Sequence, residues 1–431
     1  MKKLLFYKQT TFKDTPIGKV PRDWETRSLG EKDIATLIMG QSPPSSTYNQ
    51  KGVGLPFLQG KAEFGDIYPS PEVFCSKPVK IAEPHDILLS VRAPVGDVNI
   101  APFQCCVGRG LASIRPRHDK LNYLYLFYYL RFSSGRFESM SMGSTFKAIR
   151  KEEVVNYIIS VPPLREQERI ADFLSFADLA IQKTDEVIAK TGRVKNGLMQ
   201  KLLTEGICHK EFKDTEMGKM PKGWKVEQLG NLREKRWITY HSDGNHGGLY
   251  PRDKEFVSQG VPFLSANMII HGNIDINRAK YLSEGRAKQF QKGVARDGDV
   301  LLAHNATVGP VAVLSTKLPY IILGTSLTAY RCDPDYLHNQ YLRYYMEGLN
   351  FQRQLESKMK QTTRNQVPIT AQRKLLFVIP PLMEQLKIAA ILQTADNKLD
   401  VERKQRANLE RIKQGLMVLL LTGKARVRMC S

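Results

Sequence analysis

Two short segments carry side chains suited to holding a nucleic acid. Gly143-Ser144-Thr145-Phe146-Lys147 and Gln361-Thr362-Thr363-Arg364-Asn365-Gln366 each gather hydroxyl, amide and basic groups on what reads as one turn. Such groups position phosphates and read base edges, with Arg favouring guanine and Asn or Gln favouring adenine. A second pair of turns, Ser90-Val91-Arg92-Ala93-Pro94-Val95-Gly96 and Ala303-His304-Asn305-Ala306-Thr307-Val308-Gly309, offers the same chemistry. The candidate DNA contacts are Arg92, Ser144, Thr145, Lys147, Asn305, Thr362, Thr363, Arg364, Asn365 and Gln366. The competing reading of each is an ordinary solvated loop.

Covalent chemistry finds less support. The chain has no Gly-x-x-x-x-Gly-Lys-[Ser/Thr] phosphate loop and no His-Glu-x-x-His pair. Its Pro-Pro pairs follow Val161 and Ile379, so the amide or carboxylate that would hold a target amine is missing. Pro334-Asp335 with Glu356-Ser357-Lys358 fits a loose metal-nuclease pattern. The corresponding stretch in the first half of the chain keeps Glu138-Ser139 but has Arg117 for the aspartate and Met140 for the lysine, and the segment reads as helix. No catalytic, cofactor-binding or metal-ligating residue is assigned. Six scattered cysteines without a Cys-x-x-Cys pair fit a reduced, cytoplasmic protein.

The elements that must position these loops come in two copies. Residues 12–30 and 212–230 share 10 of 19 positions, and 161–204 and 379–422 share 19 of 44. Between these blocks the offset climbs from 200 through 206, 213 and 216 to 218, so the extra residues of the second copy lie in its middle. Matching edges imply one structural task done twice, and a divergent middle implies two ligands. After each Pro-Pro, some forty proline-free residues carry apolar side chains at helical spacing: Ile170, Leu174, Ala177, Ile181, Ile188, Val194, Leu198 and Leu202, then Ile388, Leu392, Ala395, Leu399, Leu409, Ile412, Leu416 and Leu420. Helices of about 60 Å exceed what a globular core needs and are expected to pair as a coiled coil. Its middle is polar at Thr184, Thr191, Glu402 and Arg406. The rest is a mixed α/β (α+β) pattern, with strand-like runs at Leu55–Gln59, Asp86–Val91, Leu111–Ile114 and Val154–Val161. Leu121–Phe132 and Tyr336–Met346 read as aromatic core helices.

The division expected is an N-terminal tail (1–11), a globular domain (12–163), a helix (164–205), a second globular domain (206–381), a second helix (382–423) and a basic C-terminal tail (424–431). The 431 residues hold 64 Lys+Arg against 43 Asp+Glu, a net +21 that favours a polyanionic partner. The two helices are nearly neutral, so the charge lies on the globular parts and tails. With 42% hydrophobic residues, wholesale disorder is excluded. No apolar run approaches the roughly 20 residues that span a bilayer.

The ordered motifs FKDT…Gly-Lys-x-Pro-x-x-Trp (12–24 and 212–224), Pro-Pro-Leu-x-Glu-Gln-x-x-Ile-Ala-x-x-Leu (162–174 and 380–392) and Gly-Leu-Met-x-x-Leu-Leu-Thr at both helix ends resemble the specificity subunit of type I restriction–modification enzymes. The resemblance spans nearly the full chain. It implies two target recognition domains joined by two long antiparallel helices. It also implies a subunit without catalytic centre that recognises a bipartite, asymmetric double-stranded DNA target. Two modification subunits would supply S-adenosylmethionine and adenine methylation, and restriction subunits ATP- and Mg²⁺-dependent translocation and cleavage. The alternatives are a stand-alone nuclease or methyltransferase, or a scaffold without sequence preference.

Overall fold

The computed structural model describes residues 4–141, 148–360 and 365–429. The chain divides into two units, Met1–Glu186 with Arg403–Ser431, and Val187–Glu402. Each contains a hairpin, a four-stranded and a five-stranded sheet and a two-stranded pair; the first adds the pair Leu4–Lys8 with Ala425–Met429, and the second the pair Ile269–Ile270 with Asn273–Ile274.

In the first unit a four-stranded sheet runs Val98–Ile100, Ile87–Ser90, Leu111–Pro116, Ala35–Met39, beside a five-stranded sheet built around Leu55–Leu58 and Cys105–Val107. In the second unit the four-stranded order is Thr307–Val313, Val300–Asn305, Leu327–Cys332, Ile238–Asp243, and Val261–Leu264 and Ile321–Leu323 centre the five-stranded sheet. Both five-stranded sheets hold one parallel pair in an otherwise antiparallel arrangement. The apolar strand Ile87–Ser90 is buried throughout, as expected of a central strand covered on both faces. The helices Tyr123–Phe132 and Asn339–Glu347 bury Tyr125, Tyr128 and Tyr129, and Tyr341, Tyr344 and Tyr345, in the cores, which bears out the core reading of those runs except at Tyr336, half exposed before the second helix.

The repeated motifs have a structural explanation. In FKDT…Gly-Lys the strands Phe12–Thr15 and Gly18–Pro21, and Phe212–Thr215 and Gly218–Pro221, form hairpins. The turn places Gly18 and Gly218 at φ near +100° and +92°, where a Cβ would be strained. The tryptophan that follows is fully buried in each copy and donates its indole N–H to the glutamate of Pro-Pro-Leu-x-Glu-Gln: Trp24 to Glu166 at 3.2 Å, Trp224 to Glu384 at 2.9 Å. The adjacent glutamine is fully buried as well. Gln167 donates to the carbonyls of Lys120 and Pro162 and accepts from the Asn122 N–H; Gln385 repeats this with Tyr336, Pro380 and His338. Motifs far apart in sequence are therefore two halves of one clamp.

The long helices are Leu164–Leu202 and Leu382–Leu421, of 39 and 40 residues. Their ends belong to the globular cores: Ile170, Leu174, Met417 and Leu420 in the first unit, Met199, Leu202, Ile388 and Leu392 in the second. They run antiparallel. In the first unit Lys413 meets Asp178 and Arg406 meets Asp185; in the second Lys195 meets Asp396. The polar seam is real at Thr184 and Glu402, both buried.

Three expectations need correction. Val194 and Ile412, placed on the seam by their apolar character, are 60% and 56% exposed. Lys195 and Lys413 take the inward positions because each finds a largely buried aspartate there, with a tyrosine hydroxyl on the same carboxylate: Tyr128 on Asp178 at 2.7 Å and Tyr344 on Asp396 at 2.8 Å. The run 154–161 is not one strand. Lys151–Val155 is helical, with Glu153 accepting from the Arg150 N–H at its start, and the strand is Ile158–Val161. The segments read as tails pair with each other, Leu4–Lys8 antiparallel to Ala425–Met429. Arg426 is buried there, on Glu166 and Asp23. Among the described residues, no helix is long and apolar enough to cross a membrane.

Candidate nucleic-acid interface

Of the predicted contacts, Ser144, Thr145 and Lys147, and Thr362, Thr363 and Arg364, lie outside the described residues. The other four fall at equivalent places in the two units. In the first, Val91 accepts a hydrogen bond from the Ile149 N–H at 2.9 Å, and Arg92 forms an isolated antiparallel bridge with Ala148. In the second, His304 accepts from the Val367 N–H at 2.9 Å and Asn305 bridges Gln366. In the second unit the structure thus joins the turn to the end of the other polar segment, at Gln366; in the first the turn meets Ala148, and residues 143–147 lie outside the described residues. Each junction forms a rim at one end of its sheet.

The rims share one bridge and differ in turn and side chains: a loop with a cis Ala93–Pro94 bond leads from Ser90 to Val98 in the first, and a hairpin turns at Ala306 in the second. Arg92 is exposed and stands where the second unit has Asn305, which is half-buried. Asn365 is exposed and Gln366 half-buried. Among the described residues the Arg92 guanidinium has no ion-pair partner. The arginines one strand away do: Arg115 grips Asp86 at 2.9 Å and Arg331 grips Asp299 at 2.7 Å, an equivalent pair of bonds that raises both guanidinium pKa values. A cation left unpaired at an exposed edge is available to a polyanion. In the second rim Ala306 adopts φ +62° and donates its N–H to the Asn365 carbonyl at 2.9 Å. A non-glycine residue held there is strained.

Below the second rim His304 and His241 are buried, and burial pulls both below the usual imidazole range, His241 to about 4. Both are therefore neutral at physiological pH.

The nuclease-like pattern does not assemble a site. Glu356 and Lys358 sit on the helix Leu349–Met359. No group of three or more His, Cys, Asp or Glu among the described residues could hold a metal ion.

The sequence reading missed the polar groups that hold each unit to the helices: Trp24, Glu166, Gln167, Tyr128, Asp178 and Lys413, with their counterparts Trp224, Glu384, Gln385, Tyr344, Asp396 and Lys195. Their signal was identity between the two copies at corresponding positions. In the second unit the cluster is larger, because Arg343 also donates to Asp396, at 2.7 Å. Burial opposes ionisation of Asp396, but Lys195 and Arg343 outweigh it and hold its carboxyl below the usual range.

Comparison with known proteins agrees with this architecture. Residues 21–189 and 221–411 match the family described as type I restriction modification DNA specificity domain, one match in each half of the duplication. The chain belongs to this family, and its function is that of a DNA sequence-specificity subunit. The type I restriction enzyme MjaVIII specificity subunit of Methanocaldococcus jannaschii is 26% identical over 428 residues, 98% of each chain. A protein provisionally named as the MjaX specificity subunit of the same organism is 46% identical over 207 residues, 47% of this chain and 49% of that one. Among solved structures, the type I restriction–modification S subunit from M. genitalium aligns with a TM-score of 0.60 at 16% identity, covering 92% of this chain and 96% of that one.

Proposed function

We propose that this chain recognises a bipartite, asymmetric DNA target, one half-site at each rim, and that partner subunits perform the chemistry. The observation that carries this reading is the equivalence of the rims: the corresponding strand and the same bridge place Arg92 in one unit and Asn305 in the other, while the turns beyond them differ. Two readers of one design bearing different side chains suit two different half-sites. Arg92 has the donor pattern for guanine, and Asn305 with Gln366 the donor–acceptor pattern for adenine. Readers facing one side of a duplex suit half-sites about one helical turn, roughly 10 bp, apart. The surplus of basic side chains supplies a salt-sensitive backbone contribution.

In this scheme 12–163 and 206–381 are the target recognition domains and 164–205 and 382–423 the spacer helices. The duplicated layout gives two similar faces, suited to two modification subunits that bring S-adenosylmethionine. Restriction subunits would bring ATP and Mg²⁺. This chain acts in the cytoplasm as the non-catalytic member. A similar chain, with a TM-score of 0.56 at 20% identity over 94% of this one, comes from work on complex assembly and conformational transition of a type I R-M system, which fits the scheme.

The test is selection from randomised DNA by the full chain assembled with its modification subunits. Arg92→Asn is expected to shift one position of one half-site from guanine towards adenine by about 1–3 kcal/mol, leaving the other half-site unchanged. An unaltered target in that variant would remove Arg92 as a reader. Cleavage or methylation of DNA by the purified chain alone would overturn the division of labour.

A further inference from the structure

Beneath the second rim lies a set of buried polar side chains that the first unit lacks. Gln372, fully buried, uses all its hydrogen-bonding capacity. Its Nε2 donates to Thr328 Oγ1 at 3.0 Å and to the Val367 carbonyl at 2.9 Å. Its Oε1 accepts from the Tyr330 hydroxyl at 2.5 Å and from His241 Nε2 at 3.1 Å. Thr328 Oγ1, which accepts from Gln372, is also hydrogen-bonded to His304 Nδ1, 2.9 Å away. His241 Nδ1 is then an unprotonated nitrogen, buried and without a hydrogen-bond partner among the described residues.

The strand registers identify the counterparts in the first unit. Leu302–Thr328 and Val300–Tyr330 correspond to Leu89–Ala112 and Ile87–Ile114; His241–Tyr330 corresponds to Leu37–Ile114. His304 bonded to Val367 corresponds to Val91 bonded to Ile149, and Gly230 bonded to Arg373 corresponds to Gly30 bonded to Val155, which sets Gln372 against Val154. The five polar positions are thus Leu37, Val91, Ala112, Ile114 and Val154 in the twin, all in or against its apolar core.

Packing does not require the polar set, since apolar residues fill the same sheet in the first unit. Buried hydrogen-bonded groups add little net stability, but they fix direction. This network touches the rim at two points, the Val367 carbonyl and the His304 ring, and these residues flank the bridge between Asn305 and Gln366. The strained Ala306 is the next residue along.

We infer that Gln372 and Thr328 are positioning residues for the second reader: their network sets where Asn305 and Gln366 point, so base preference at one half-site depends on it. The inference rests on the rims being the reading edges. The measurement is again selection from randomised DNA by the full chain with its modification subunits, where the other half-site serves as internal control. Thr328→Val, which removes only the hydroxyl, and Gln372→Leu are expected to lower selectivity at the second half-site at least tenfold and leave the first intact. Thr328→Ser, which keeps the hydroxyl, is expected to stay within twofold of wild type. Should the single variants fail to fold, the combined swap to the twin's residues (His241→Leu, His304→Val, Thr328→Ala, Tyr330→Ile, Gln372→Val) reports instead, since it removes the polar side chains together and puts in their place the residues that fill the twin. Unchanged selectivity in folded network variants, with Asn305→Ala altering the second half-site, would overturn the positioning role alone. Unchanged selectivity in Asn305→Ala as well would overturn the rim reading on which it rests.

Discussion

The two Tyr–Asp–Lys clusters that join each unit to the helices respond differently to deletion, and the difference follows from counting partners. Among the described residues Asp178 has two: Lys413 at 2.5 Å and Tyr128 at 2.7 Å. Asp396 has three: Lys195 at 2.6 Å, Arg343 at 2.7 Å and Tyr344 at 2.8 Å. Lys413 is only 4% exposed, and the Lys195 and Asp396 side chains are 14% and 11% exposed, so solvent screens these pairs little. Removing one partner of a buried pair costs about 3–5 kcal/mol, because a charge is stranded. Asp178→Ala, Asp396→Ala and Lys413→Met should all fall in that range, the last because Asp178 keeps only a phenol. Lys195→Met should cost less, about 1–2 kcal/mol, because Asp396 retains a guanidinium and a phenol. Replacing both partners in the first unit, Asp178→Leu with Lys413→Met, should recover most of the loss, since apolar substitutes for a buried pair are often neutral or stabilising. The assay is hydrogen exchange of helix amides flanking positions 178 and 396, which reports local opening free energies. If Lys195→Met proves as costly as Asp396→Ala, or Lys413→Met costs under about 1 kcal/mol, the partner count does not govern these sites.

Acidification should weaken the second unit selectively. His241 is lowered to about 4, chiefly by burial, and His246, His304 and His338 are lowered for the same reason. A lowered imidazole pKa means the unfolded chain binds protons first, so stability falls as pH drops from about 6.5 towards 4, by roughly 3 kcal/mol for His241. Denaturation midpoints of wild type and His241→Leu at pH 7 and 4.5 isolate this share; an equal acid sensitivity in both would refute it. Inserting four residues into each long helix should lengthen the strut by about 6 Å, changing the recognised gap by about two base pairs at ~3.4 Å each. A methylation-site survey that returned the original gap would contradict the spacer role.

How far the sequence disclosed this molecule depends on whether a residue's partner is local. Helix periodicity located both long helices, because apolar spacing is a property of neighbouring turns. It misplaced Val194 and Ile412, because the choice between them and Lys195 or Lys413 is made by aspartates on the opposite helix. The terminal segments read as tails for the same reason, since Phe6 pairs with Val427 and nothing within either segment reveals it. The clamp residues were visible as identities but not as contacts: Trp24 meets Glu166 only after the chain has built a whole unit between them. At the rims, the stepwise offset was enough to align Arg92 with Asn305, which the registers reproduce, but not to show the bridges that Arg92 makes to Ala148 and Asn305 to Gln366. The Gln372 network was least accessible, because its members occupy the stretch where the copies differ. Comparison of the copies therefore separates two kinds of residue. Positions that match hold each unit to the helices, whereas polar residues standing where the twin is apolar meet no packing need that the twin does not also meet. Gln372, Thr328 and His304 belong to the second kind, and their hydrogen bonds lead to the strand that carries Asn305.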